Sequence, residues 1–180
     1  MTDKIKVGLI FGGNSSEYEV SIMSAHNIYE EIDTNKFDVY PMWITNDGYL
    51  ANDADSRKVL DNPKMEVANP HKVANISNIV ELKDRPEIDV FFPIVHGNLG
   101  EDGCLQGLFR VLDKPFVGDD VLAAAVTMDK EMTKILAQRA GVPVAKWIAV
   151  KRFEYNDPDN EKLDYEYVAS QLGSDLFVKP

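Results

Sequence analysis

Apolar positions fall along this chain in two rhythms. Mostly apolar runs of seven or eight residues, rich in β-branched and aromatic side chains, recur as "IKVGLIF" (5–11), "FDVYPMWI" (37–44) and "DVFFPIV" (89–95), and each reads as a buried strand. Between them the apolar positions change to helical spacing. Ile22, Ala25, Ile28, Tyr29 and Ile32 form one stripe, and Leu105, Leu108, Phe109 and Leu112 form another. "PFVG" (115–118) is short enough for a small strand, and "DDVLAAAVTM" and "KEMTKILAQRA" read as two successive helices, the second stopped by Gly141 with Pro143 behind it. Pro41 marks the second strand as an edge or a bulge.

Strands alternating with helices predict an α/β fold, a doubly wound and mostly parallel sheet closing near residue 122. From Thr45 to about Arg85 the text is polar and without sustained period, an elaboration with a hairpin around "TNDGYLA", where Asp47-Gly48 signals a turn. Beyond Gly141 the spacing predicts a strand at 144–150, a helix at 164–172 and a strand at 176–180. Two strands and a helix do not close a core, so residues 123–180 are expected to hold connecting helices and the start of a second domain, in a fragment of a longer polypeptide.

Composition narrows the function classes. A hydrophobic content of 44% fits a folded globular chain, and a net charge of -11 disfavours duplex nucleic acid, whose binding rests on basic side chains. A small anion needs only a few local donors and stays admissible. The single Cys104 excludes an internal disulfide and a cysteine-based zinc cluster and suits a reducing compartment. No stretch reaches the roughly 18 apolar residues of a membrane span, and the start lacks a convincing signal peptide, so a cytoplasmic setting is expected.

Two loops carry the candidate chemistry. "GGNSSEYEVS" follows the first strand but is neither G-x-G-x-x-G nor a P-loop. Glu17 stands there beside Ser15 and Ser16 at a helix start, where capping competes with a binding role. "HGNLGEDG" (96–103) follows a later parallel strand, so both loops belong to the rim where open α/β sheets bind ligands. Its glycines allow close approach of a ligand, and His96 offers a donor or a cation. One His with Glu101 and Asp102 is thin for a metal, and a solvated turn is the alternative. Lys130 opens a helix and Lys179 ends the last strand; each is a solvated lysine or a phosphate-holding cation.

Taken together, "GGNSSEYEVS", "HGNLGEDGCLQGLF", "PFVGDDVLAAAVTMDK" and "GVPVAKWIAV…LFVKP" resemble the amino-terminal part of the D-alanine:D-alanine ligase family, ATP-grasp enzymes of peptidoglycan precursor synthesis. The four blocks keep the family's order and cover nearly the whole chain outside 45–85. The resemblance implies a Rossmann-like substrate domain over 1–122 and the opening of an α+β ATP-grasp domain after it. It implies a reaction in which ATP phosphorylates one D-alanine carboxylate and the amine of a second D-alanine, or D-lactate or D-serine in related members, attacks the acylphosphate.

By motif match Glu17 holds the ammonium of the first D-amino acid, His96 lies beside its carboxylate, Glu101 shapes that pocket, and Lys130 and Lys179 contact ATP. Ser21 matches a serine of the first motif, although a helix cap explains it as well. The magnesium ligands and the phosphate loop fall beyond residue 180 in the family, so the fragment is expected to be inactive alone. The resemblance also implies a homodimer. Two other readings are a non-catalytic D-amino-acid-binding or dimerisation module and a different ATP-grasp ligase.

Overall fold

A computed structural model describes residues 3–65, 67–75, 88–157 and 160–179 of the chain. Compactness divides it into two units, Met1–Met128 and Asp129–Pro180. The first unit is built on a mixed five-stranded sheet. Its strands are β1 (Ile5–Gly12), β2 (Phe37–Ile44), β3 (Tyr49–Ala51), β4 (Lys72–Asn75) and β5 (Val90–Pro93), in the order β4-β3-β2-β1-β5.

The long runs form the parallel heart of that sheet. Ile5–Gly12 pairs with Phe37–Ile44 on one side and, from Val7 to Ile10, with Val90–Pro93 on the other. Both faces of β1 are covered, which is why it reads as continuous apolar sequence. Leu9 and Phe11 face a cluster with Ile22, Ala25, Val59 and Leu60, whereas Ile10 faces one with Phe91, Leu105, Phe109 and Leu112. The first cluster is roofed by helices α1 (Tyr18–Glu31) and α2 (Asp53–Asp61), the second by α3 (Cys104–Val111). Phe91 and Phe109 stack with centroids 4.9 Å apart.

The sheet departs from the mostly parallel expectation at one edge, where β3 and β4 add antiparallel pairs. The cause is the expected turn: Gly48, at φ 84°, donates its N–H to Thr45 O, and Thr45 N–H bonds Tyr49 O at 2.8 Å. Pro41 pairs with Leu9 of β1, and the β3 ladder reaches β2 only at Ile44, so no ladder runs past the proline on its other side. There the Arg57 guanidinium donates to Val39 O at 2.9 Å.

Three expectations need correction. Residues 53–61, inside the stretch read as aperiodic, form α2, capped by Asn52 Oδ1 accepting from Asp55 N–H at 2.7 Å. Two of its four buried residues are the polar Asp55 and Ser56, which breaks the apolar stripe. Residues 115–118 contribute a single parallel bridge, Phe91 to Phe116, instead of a strand. Finally, 144–150 and 176–179 make no ladder among the described residues. The 76–85 part of the elaboration lies outside the described residues.

Helix α4 (Val121–Met128) ends the first unit. In the second, Asp129 caps α5 (Lys130–Arg139) through Glu131 and Met132 N–H, and Asp164 caps α6 (Tyr165–Leu172) through Tyr167 N–H. Lys134 lies over the Trp147 ring, and Lys151 pairs with Glu131. No described residue from 129 onward is buried.

Candidate functional site at the carboxyl rim of the sheet

Because β1 and β5 run parallel, the loops that follow them leave the sheet at the same edge. Backbone bonds gather the strand ends: Gly13 N–H donates to Ile44 O and Ile94 N–H to Ile10 O. Ser21, from the second turn of α1, ties them further. Its hydroxyl accepts from Gly12 N–H at 2.7 Å and donates to Ile94 O at 2.6 Å. Ser21 is therefore not a helix cap. It is wholly buried, and its hydroxyl spans the two strand ends beneath the loops.

Above it the two loops touch. Ser15 Oγ donates to His96 O at 2.8 Å and accepts from Glu17 N–H. Glu17 occupies the N-cap position of α1, yet its side chain makes no capping bond. The carboxylate is exposed and leans over Gly97, where an added Cβ would stand 3.2 Å from Glu17 Oε2. Gly97 also has φ 75°, so both space and backbone call for glycine. An exposed carboxylate left out of its helix cap, with no hydrogen-bond donor on it among the described residues, suits a ligand cation.

The 96–103 loop folds around two acids. Glu101 Oε2 accepts from Gly97 N–H at 2.9 Å while Oε1 stands 3.3 Å from His96 Nδ1. Asp102 accepts from Leu99 N–H at 2.9 Å and Cys104 N–H at 3.0 Å, holding Leu99 at φ 68°, in the left-handed region. Partial burial pushes the Asp102 carboxyl upward, but the hydrogen bonds outweigh it and hold the group below the usual aspartate range. The same carboxylate, by hydrogen bond and charge, raises the Cys104 thiol, which keeps it a poor nucleophile. From α3, Gln106 Nε2 donates to Gly100 O at 2.9 Å.

His96 is held on its remaining side by Ser24, whose Oγ lies 3.3 Å from Nε2. Next to Glu17, Tyr18 accepts from Trp43 Nε1–H at 2.8 Å. Burial raises the Tyr18 phenol above its ordinary value, against the pull of that bond. Sequence reasoning passed over Ser24, Gln106 and the Tyr18–Trp43 pair. The available signal was spacing: Glu17, Ser21 and Ser24 stand at i, i+4 and i+7, a polar stripe beside an apolar one.

The structure thus brings Glu17, Ser21, His96 and Glu101 together. Lys130 and Lys179 belong to the second unit, each exposed. They suit a phosphate by charge. Among the described residues no three His, Cys, Asp or Glu side chains are grouped to hold a metal ion.

Residues 6–119 match the family described as D-ala D-ala ligase N-terminus. A D-alanine–D-alanine ligase of Lactobacillus gasseri is 99% identical over 180 residues, all of this chain and 50% of that protein. One from Lactobacillus acidophilus is 74% identical with the same coverage. Among solved structures, the D-alanine-D-alanine ligase of Coxiella burnetii aligns with TM-score 0.69 and 30% identity over 94% of this chain and 50% of its own. The VanG D-Ala:D-Ser ligase of Enterococcus faecalis aligns with TM-score 0.68 and 39% identity over 85% and 47%. The chain spans about half the length of the curated relatives it matches. On this evidence of sequence, sheet and rim, the chain belongs to the D-alanine–D-alanine ligase family, matching the N-terminal part of its members.

Proposed function

We propose that this chain is the N-terminal half of an ATP-dependent ligase that joins two D-alanines for peptidoglycan precursor synthesis, and that its rim forms one wall of the first D-amino acid's pocket. The observation that carries this is the Glu17 carboxylate, held at a helix start without capping it and facing the HGNLGEDG loop. D-alanine as the second substrate, rather than D-lactate or D-serine, is supported by the name of the 99% identical relative. Residues 1–122 are assigned to a Rossmann-like substrate domain and 123–180 to connecting helices and the opening of an ATP-grasp domain. A cytoplasmic homodimer is the setting this reading implies.

In the overall reaction the first carboxylate takes the γ-phosphoryl group of ATP, releasing ADP, and the second amine then displaces phosphate from that carbonyl carbon. The residues of this chain bind and orient. Glu17 takes the α-ammonium of the first D-alanine, which turns its carboxylate toward His96. Glu101 fixes both the loop backbone at Gly97 and the ring of His96, so that the imidazole stands ready beside the substrate oxygens. Ser21 holds the two strand ends so that ammonium and carboxylate sites keep one spacing. Lys130 and Lys179 are assigned to the phosphates of ATP. Magnesium ligands are assigned outside this chain.

The test joins this chain to the C-terminal remainder of the Lactobacillus gasseri ligase. The hybrid is expected to release phosphate from ATP only with D-alanine present, and the 180-residue chain alone to release none. Glu17→Gln in the hybrid should lower kcat/KM for the first D-alanine about 10- to 100-fold, the worth of a charged hydrogen bond. A hybrid silent with D-alanine, an unaffected Glu17→Gln, or turnover by the chain alone would each refute part of this reading.

A further inference from the structure

We infer that Ser24 is a positioning residue that orients the His96 imidazole and favours a hydrogen on its Nε2. This deepens the proposed function and rests on it for the catalytic consequence, though not for the geometry. Ser24 has one hydroxyl hydrogen, and Val20 O, one helical turn back, lies 2.8 Å from its Oγ and accepts it. The same oxygen stands 3.3 Å from His96 Nε2, so the hydrogen of that second contact comes from the ring. Ser24 therefore favours the form of His96 that carries a hydrogen on Nε2.

The other contacts make the selection matter. Nδ1 faces Glu101 Oε1 at 3.3 Å, an acceptor that favours a hydrogen on Nδ1, so Glu101 and Ser24 compete for the single hydrogen of the neutral ring, while the backbone carbonyl of His96 accepts from Ser15 Oγ. A ring turned over would exchange the two nitrogens between a hydroxyl and a carboxylate, partners of different charge. Ser24 is seven residues beyond Glu17 on the same face of α1. One helix thus carries the carboxylate assigned to the substrate ammonium and the hydroxyl that orients the group assigned to the substrate carboxylate.

The experiment compares Ser24→Ala and Ser24→Thr. In the 180-residue chain with 15N-labelled histidine, Ser24→Ala should shift the Nδ1 and Nε2 signals of the neutral His96 ring toward the Nδ1–H tautomer that Glu101 favours. Amide signals away from the rim should stay in place, and Ser24→Thr, which keeps the hydroxyl, should restore the parent pattern. In the hybrid enzyme Ser24→Ala should lose about three- to tenfold in kcat/KM for D-alanine, the effect of one neutral hydrogen bond, and Ser24→Thr should recover it. Ring signals unchanged in Ser24→Ala would overturn the inference, whatever the activity did. Failure of the proposed function shows separately, as a hybrid in which Glu17→Gln has no effect while the Ser24→Ala ring signals still move.

Discussion

The two units of this chain contrast in what they bury. In the first, Leu9, Ile10, Phe11, Phe91 and Phe109 are at most 2% exposed on the two faces of one sheet. In the second, α5 and α6 bury no residue, and Phe177 is 95% exposed. Both regions have apolar sequence, and side-chain caps are in fact more regular in the second, where Asp129 and Asp164 cap both helices, so local propensity does not explain the contrast. The difference lies in partners: a strand run becomes a strand only where a neighbour takes its backbone bonds and a helix takes its side chains.

That contrast predicts unequal responses to similar changes. Phe91→Ala should cost about 3–5 kcal/mol in chemical denaturation, whereas Phe177→Ala should stay within about 0.5 kcal/mol. Equal effects would break the comparison. Ser21→Ala, which strands Gly12 N–H and Ile94 C=O under the loops, should cost about 2–3 kcal/mol despite removing one atom.

Acid tests a single carboxylate. The lowered Asp102 pKa means that the folded chain holds fewer protons at this group than the unfolded one. Its contribution is complete above the ordinary aspartate value of about 3.9 and is lost as pH falls through the folded value. Unfolding midpoints of the parent and Asp102→Asn should therefore converge as pH drops below about 4; a constant gap would remove the Asp102 contribution.

Legibility in the sequence followed the same division. The three strands of the parallel core were readable because burial on both faces leaves an unbroken apolar run, as in Val7–Phe11. Helix 53–61 was not, because Asp55 and Ser56 occupy buried positions and are satisfied by backbone partners such as His71 N–H and Trp43 N–H. The runs 144–150 and 176–179 had strand composition without ladder partners among the described residues. At the rim the sequence pointed to Glu17 and His96 through their loops. It could not show that Ser21 spans two strand ends or that Ser24 meets His96, since each contact joins residues more than 70 positions apart.

The indole of Trp43 gives the rim a spectroscopic signature. The chain has two tryptophans, one in each unit: Trp43, 4% exposed and bonded to the tyrosine next to Glu17, and Trp147, half-buried beneath Lys134. A sheltered indole emits to the blue of a wetter one, so the emission band separates into contributions from the two units. Replacing Trp147 with Phe leaves a single fluorophore beside the loops. Its colour and lifetime then follow the environment of the Tyr18–Trp43 pair without any added label.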